Sequence, residues 1–120
     1  MPRTRILLVD LPHLVRDMFA RVIEGDDAVR MVGHARDPDA IEEAVRATDP
    51  EYVIVGLEAG ALPPSCRRFL DERAKVRLLG VAAVDGRAYL YELKPERLEL
   101  GSLSPGELIE SIRALTAEAA

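Results

Sequence analysis

The sequence predicts an α/β fold built on a doubly wound, mostly parallel sheet. Three observations predict it. Short apolar runs alternate with segments of helical periodicity, the runs are apolar at consecutive positions, and proline, glycine and acidic residues punctuate the junctions. Consecutive apolar positions belong to strands buried on both faces. Strands that alternate with helices need right-handed crossovers, which lay helices on both faces of the sheet.

Arg5 to Val9 (RILLV) is the first strand and ends at Asp10. Leu14, Val15, Met18, Phe19, Val22 and Ile23 then recur at helical spacing, and Gly25-Asp26-Asp27 supplies the stop. Val29 to Gly33 (VRMVG) is a second strand, near a sheet edge because Arg30 interrupts it. Asp37 caps the next helix, with Pro38 at its first position, Ile41, Ala44 and Val45 on one face, and a stop before Pro50. Tyr52 to Leu57 (YVIVGL) is the third strand. A loop with Gly60 and Pro63-Pro64 leads to a short helix around Ser65 to Arg73 that buries Phe69 and Leu70, and a fourth strand begins near Val76. Ser104-Pro105-Gly106-Glu107 forms a capping box, and Leu108, Ile109, Ile112 and Leu115 mark the buried face of the last helix.

Val81 to Leu100 carries two readings. Asp85-Gly86 between VAAV and RAYLYEL is a hairpin signal, and tyrosines favour strand, so an antiparallel hairpin at 81–93 with Arg97 to Leu100 (RLEL) as a further strand is preferred. The competing reading makes GRAYLYEL two turns of helix, with Tyr89, Leu90 and Leu93 on one side and Lys94-Pro95 as the break.

At 120 residues the chain is expected to form one domain, 1–120, and 48% apolar with 31% charged residues suits a globular fold. A net charge of -5, with arginines scattered singly, offers no footprint for nucleic acid. The apolar runs are too short for a membrane span and no signal-peptide core follows Arg3 and Arg5, so no membrane partner and a cytoplasmic location are expected. Cys66 is the single cysteine, which excludes an internal disulfide and suits a reducing compartment.

RILLVDLPHLVRDMF, VRMVGHARDPDAIEEAV, DPEYVIVGLE and LSPGELIESIRAL together resemble the receiver domain of bacterial response regulators, above all receivers of helix-turn-helix transcriptional regulators. The resemblance spans nearly the whole chain, least securely between Gly80 and Gly101. It implies a flavodoxin-like fold with five parallel strands, the 81–93 hairpin standing in for the fourth helix.

It also implies a phosphorylation site, in which a carboxylate attacks a phosphoryl group while acidic residues hold magnesium and a hydroxyl and a lysine hold the phosphoryl oxygens. The family's acidic pair falls on Asp10-Leu11, which keeps one acid. The phosphoacceptor position falls on Gly56, which has no side chain to react. The hydroxyl position falls on Gly80 at the end of LLGVAAV, where Val81 and Ala82 offer none either. The lysine falls on Gly101, or in a second register on Lys94. This pattern resembles a degenerate, phosphorylation-independent pseudo-receiver, and no catalytic residue, cofactor or metal is assigned.

Asp10 sits where open parallel sheets bind ligands, yet one carboxylate is a poor magnesium site. It is expected to hydrogen-bond the loop after it or to cap the helix beginning near Pro12. His13 and His34 lack ligand spacing. Glu58 is a candidate permanent charge imitating a phosphoryl group, weighed against a solvated loop residue. Tyr89, Tyr91, Leu93 and Leu98 form a candidate interaction patch, on an edge strand if the hairpin forms; the alternative has the rings covering the last helix. The expected function is a signalling module that binds a protein partner or itself as a homodimer. The rivals are phosphotransfer through Asp10 or Asp85, and a small-ligand sensor using space left by Gly56, Gly80 and Ala82.

Overall fold

The computed structural model of the chain describes residues 3–72, 76–82, 87–91 and 97–119. In chain order the elements are β1 (Thr4–Val9), α1 (His13–Glu24), β2 (Val29–Ala35), a 3-10 turn (Pro38–Ala40), α2 (Ile41–Thr48), β3 (Tyr52–Gly56), α3 (Pro64–Glu72), β4 (Arg77–Val81), β5 (Arg87–Tyr91), β6 (Arg97–Ser102) and α4 (Pro105–Ala119). They build a six-stranded sheet in the order β2-β1-β3-β4-β5-β6. β2, β1, β3 and β4 are parallel, whereas β5 is antiparallel to both β4 and β6.

Strand alternation divides the core in two. Ile6, Leu8, Ile54, Leu79 and Leu90 face Phe19 and Ile23 of α1 and Leu108, Ile109 and Ile112 of α4. Leu7, Val9, Val53, Val55 and Leu78 face Ile41 of α2 and Cys66, Phe69 and Leu70 of α3. Successive residues of β1 and β3 thus bury side chains in opposite layers, which is why those strands are apolar at consecutive positions. Each fully buried side chain of this size contributes about 1.5–3 kcal/mol.

The hairpin reading of 81–93 holds as far as it is described: β4 and β5 pair antiparallel, and β6 follows. The Asp85-Gly86 turn, Leu93 and Lys94-Pro95 lie outside the described residues. Because β6 is antiparallel to β5, it runs in the same direction as β4. The chain therefore returns between two codirectional strands by adding a strand to the sheet, where a parallel connection ordinarily uses a helix on its face. Five parallel strands were expected from the resemblance, and an inserted antiparallel strand is the difference.

Leu14 and Met18 of α1 are 72% and 44% exposed, because the buried stripe runs through Phe19 and Ile23 with Val15 and Val22 at its margin. Two expectations are corrected. β5 is interior, since β6 takes the edge, so Tyr89 stands on a strand paired on both sides. α1 begins after Pro12 with no side-chain cap, so Asp10 does not cap it.

The helix ends otherwise follow their signals. Asp37 accepts from the Asp39 N–H at 2.9 Å with Pro38 at the start of the 3-10 turn, which runs into α2. The Ser104 N–H donates to Glu107 Oε1 at 3.0 Å, and the Glu107 N–H donates to Ser104 Oγ at 3.2 Å. The Ser104 N–H first, then the Ser104 hydroxyl, hold the Glu107 carboxyl below the usual range. Leu115 lies outside the described side chains. Replacing Ser104 by alanine removes an acceptor for an otherwise unpaired N–H, and the expected loss is about 1 kcal/mol of stability, read from urea unfolding.

Candidate functional site

The parallel strands end together, and their register lines up a row of positions across the sheet. Val9 pairs with Val55, which puts Asp10 beside Gly56 one step on; Gly56 pairs with Val81, Val81 with Ala88, and Ala88 with Gly101. Asp10, Gly56 and Gly101 lie on this row, with Leu11 and Gly80 next to it. Val81, and not Gly80, stands across from Gly56, while Gly80 is one step inside, opposite Val55.

Asp10 governs the first position. Its N–H donates to the Ala35 carbonyl at 2.8 Å, which ties the residue to β2 just as β1 ends. Its φ of 52° is left-handed, a conformation that aspartate tolerates better than most side chains. That turn aims the Asp10 carbonyl at Gly56. A Cβ placed on Gly56 would collide with the Asp10 carbonyl oxygen and lie 3.1 Å from the carbonyl carbon. Only a residue without a side chain fits, because the obstacle is backbone and cannot swing away. Main chain thus occupies the space where a phosphoacceptor would begin. Leu11, the second of the expected acidic pair, follows as a partly buried residue against the α1/α4 layer.

The loop after β3 is equally constrained. Leu57 donates its N–H to the Val81 carbonyl at 3.0 Å, and Glu58 and Ala61 exchange backbone hydrogen bonds of 2.9 and 3.0 Å. Between them Ala59 and Gly60 have φ of 50° and 79°, the signature of a type I′ turn. This tight hairpin brings Glu58 beside the Asp10 carboxyl. Burial, then the Glu58 hydrogen bond and charge, then Asp37, push the Asp10 carboxyl above the usual range. Glu58 does reach the site, as a phosphoryl mimic must, but it meets a carboxyl there. The Asp10 carboxyl thus faces the loop after β3.

The far end of the row lacks the expected cation. Gly101 has φ 90° and sits where the β5–β6 register slips between Ala88 and Tyr89, a bulge that its missing Cβ accommodates. With strands about 4.8 Å apart, three strand steps put Gly101 about 14 Å from Gly56. β5 lies between β4 and β6 and sets this distance, which is beyond the reach of a lysine side chain. Lys94, the other candidate, lies outside the described residues.

The remaining candidates are spread out. His13 pairs with Asp17 at 3.2 Å on α1, and His34 is exposed on β2. Among the described residues no three histidine, cysteine or acidic side chains could hold a metal ion. Cys66 is buried in the α2/α3 layer, and that burial pushes its thiol up to about 12, so it is a packing residue with negligible thiolate. Tyr89 is half-buried in the middle of the antiparallel strands. Tyr91 and Leu98 are described only by their strand positions, opposite Leu78 and Leu90.

Sequence reasoning placed Asp10 and Gly56 but missed their contact. The signal was available: a glycine ending a strand of β-branched residues, next to an aspartate ending another, marks close backbone approach.

A parallel sheet in the order β2-β1-β3-β4 with a helix pair on each face is the flavodoxin-like arrangement that receiver domains of response regulators share. Two solved structures bear this out. The REC domain of RcsB from Salmonella enterica serovar Typhimurium, solved with the phosphomimetic BeF3-, matches with a TM-score of 0.68 at 12% identity, over 97% of this chain and 90% of that one. The response regulator domain of Thermotoga maritima CheB matches with a TM-score of 0.63 at 22% identity, over 94% and 96%. In sequence the chain is 37% identical over 54 residues to protein-glutamate methylesterase/protein-glutamine glutaminase 2 of Burkholderia thailandensis, covering 45% of this chain and 15% of that protein. It is 32% identical over 62 residues to the corresponding protein 1 of Syntrophomonas wolfei, covering 52% and 18%. The chain thus spans less than a fifth of either relative's length. No family model matches it.

Two outcomes test this geometry. Gly56→Ala is expected to cost about 3 kcal/mol in denaturant unfolding, since the overpacked neighbour is main chain. For Asp10 the folded carboxyl titrates above its unfolded value, so ionisation opposes folding progressively as pH rises through that window. Asp10→Asn is therefore expected to raise the melting temperature at neutral pH, with the gain vanishing below the usual aspartate range.

Proposed function

We propose that the chain is a phosphorylation-independent pseudo-receiver, a signalling module that works by binding protein and not by catalysis. The observation that carries this reading is the Asp10 carbonyl lying where a side chain on Gly56 would stand. A receiver that has lost only its nucleophile keeps the room for one, whereas here the room is filled. The row Asp10, Gly56, Val81, Ala88, Gly101 offers no hydroxyl and no ammonium to a phosphoryl group, and three of its five members carry no functional group beyond hydrogen or methyl.

The rival readings find less support. Phosphotransfer through Asp10 asks a carboxyl hydrogen-bonded to Glu58 and biased toward its neutral form to act as a nucleophile. Asp85 lies outside the described residues. A ligand sensor needs the space beside Gly56 that the Asp10 carbonyl fills. The RcsB structure with DNA is of a response regulator of which this chain covers 45%, and the net charge of -5 suits a protein partner better than nucleic acid. No described helix is long and apolar enough to cross a membrane, which agrees with a cytoplasmic module. We read residues 1–120 as one receiver-like unit.

The deciding measurement is the intact mass after incubation with acetyl phosphate and magnesium, with beryllofluoride titrated in a parallel NMR sample. Neither an adduct nor a shift is expected, for the chain itself or for Gly56→Asp. A stoichiometric adduct abolished by replacing one aspartate would overturn the reading.

A further inference from the structure

The sheet has two edges, and they differ in what they offer. β2 carries Arg30 and His34 as its charged or titratable residues. β6, reading Arg97-Leu98-Glu99-Leu100-Gly101-Ser102, alternates a cation and an anion around one leucine. Its outward backbone groups can be identified. The Ala82 N–H donates to the Arg87 carbonyl at 2.9 Å, which sets the phase of the β4–β5 ladder. Alternation then turns the backbone groups of Tyr89 and Tyr91 toward β4 and those of Leu90 toward β6. Leu90 is opposite Leu98, so Leu98 bonds inward and the N–H and C=O groups of Arg97 and Glu99 face away from the sheet. Edge strands with such outward groups are templates for strand addition.

We propose that two copies of this chain pair antiparallel through the outer edges of β6, about a twofold axis at Leu98. In that register Arg97 of each copy stands opposite Glu99 of the other, and the outward N–H and C=O groups of both residues are satisfied. Shifting the axis to Arg97 or to Glu99 would set like charges opposite each other, which is unfavourable. The bulge at Gly101 ends the regular edge, so no longer pairing competes. Charge complementarity of the strand with itself is what selects a second copy as the occupant. The inference rests on the reading of the chain as a binding module and names its partner. It also moves the interface from the tyrosine face of β5 to the strand beside it.

The test is sedimentation equilibrium of the intact chain from low to high micromolar concentration, with folding checked by circular dichroism. A reversible dimer is expected. Glu99→Arg and Arg97→Glu each set like charges across the axis and are expected to weaken the dimer about tenfold or more. The double variant Arg97→Glu/Glu99→Arg restores opposite charges and is expected to restore the dimer. Amide exchange gives a second readout: protection at Arg97 and Glu99 rises with concentration, while Leu98 is protected throughout. A chain that is monomeric throughout, a dimer indifferent to Glu99→Arg, or a double variant that stays monomeric would each overturn the proposal. A monomer that also takes no phosphoryl group overturns the dimer alone and leaves the pseudo-receiver reading standing.

Discussion

The rest of the site depends on one main-chain contact, the Asp10 carbonyl against the Cα of Gly56. It requires a left-handed residue at the end of β1, a tie to Ala35 that holds the turn in place, and a residue without a Cβ at the end of β3. Each requirement is local, yet together they join three adjacent strands at the end of the sheet where receivers carry their chemistry. Aspartate suits the first requirement because its short polar side chain lowers the cost of a positive φ. Asp10 is thus best understood through its backbone. Its carboxyl has been left to find a partner, and finds Glu58.

The second departure, the inserted β5, acts on the same row from the other side. A strand in the plane of the sheet separates β6 from β4 by one spacing, and the residues that would ring a phosphoryl group are drawn apart. The backbone contact at Gly56 and the position of Gly101 three strands away are separate features of the same row. The parallel half of the sheet keeps its apolar strands buried on both faces, so the packing beneath this row does not depend on which side chains the row carries.

Most of the fold was legible because its signals are local. Consecutive apolar residues in RILLV and YVIVG, the capping box at Ser104 and the Asp37-Pro38 start each state their own structure. The hairpin at 81–93 was legible through turn chemistry and tyrosines, although the same letters also spell two turns of helix, and only pairing with Leu78 and Leu79 decides between them. The period of α1 was legible, but periodicity marks Leu14 and Met18 as apolar without saying where the covering sheet ends. The site was legible as a set of missing groups. Its filling was not, because the contact joins residues 10 and 56 through backbone atoms that carry no letter of their own. That Val81 and not Gly80 pairs with Gly56 is a one-residue matter of register, which apolar patterning does not resolve within LLGVA.

Replacing a crossover helix by a strand also changes how the chain must search for its native state. β1 and β3 pair across residues 10–51, whereas β4, β5 and β6 are joined by residues 82–86 and 92–96. By the logarithmic scaling of loop closure, bringing the first pair together costs about 2 kcal/mol more entropy than closing either short connection. The antiparallel trio is therefore the cheapest long contact surface to assemble, and it presents Leu79 and Leu90 to α4 without waiting for the amino-terminal half. A receiver closed by a crossover helix must form every strand pair at long range, while here the carboxyl-terminal half lowers the relative contact order and offers a folding nucleus of its own.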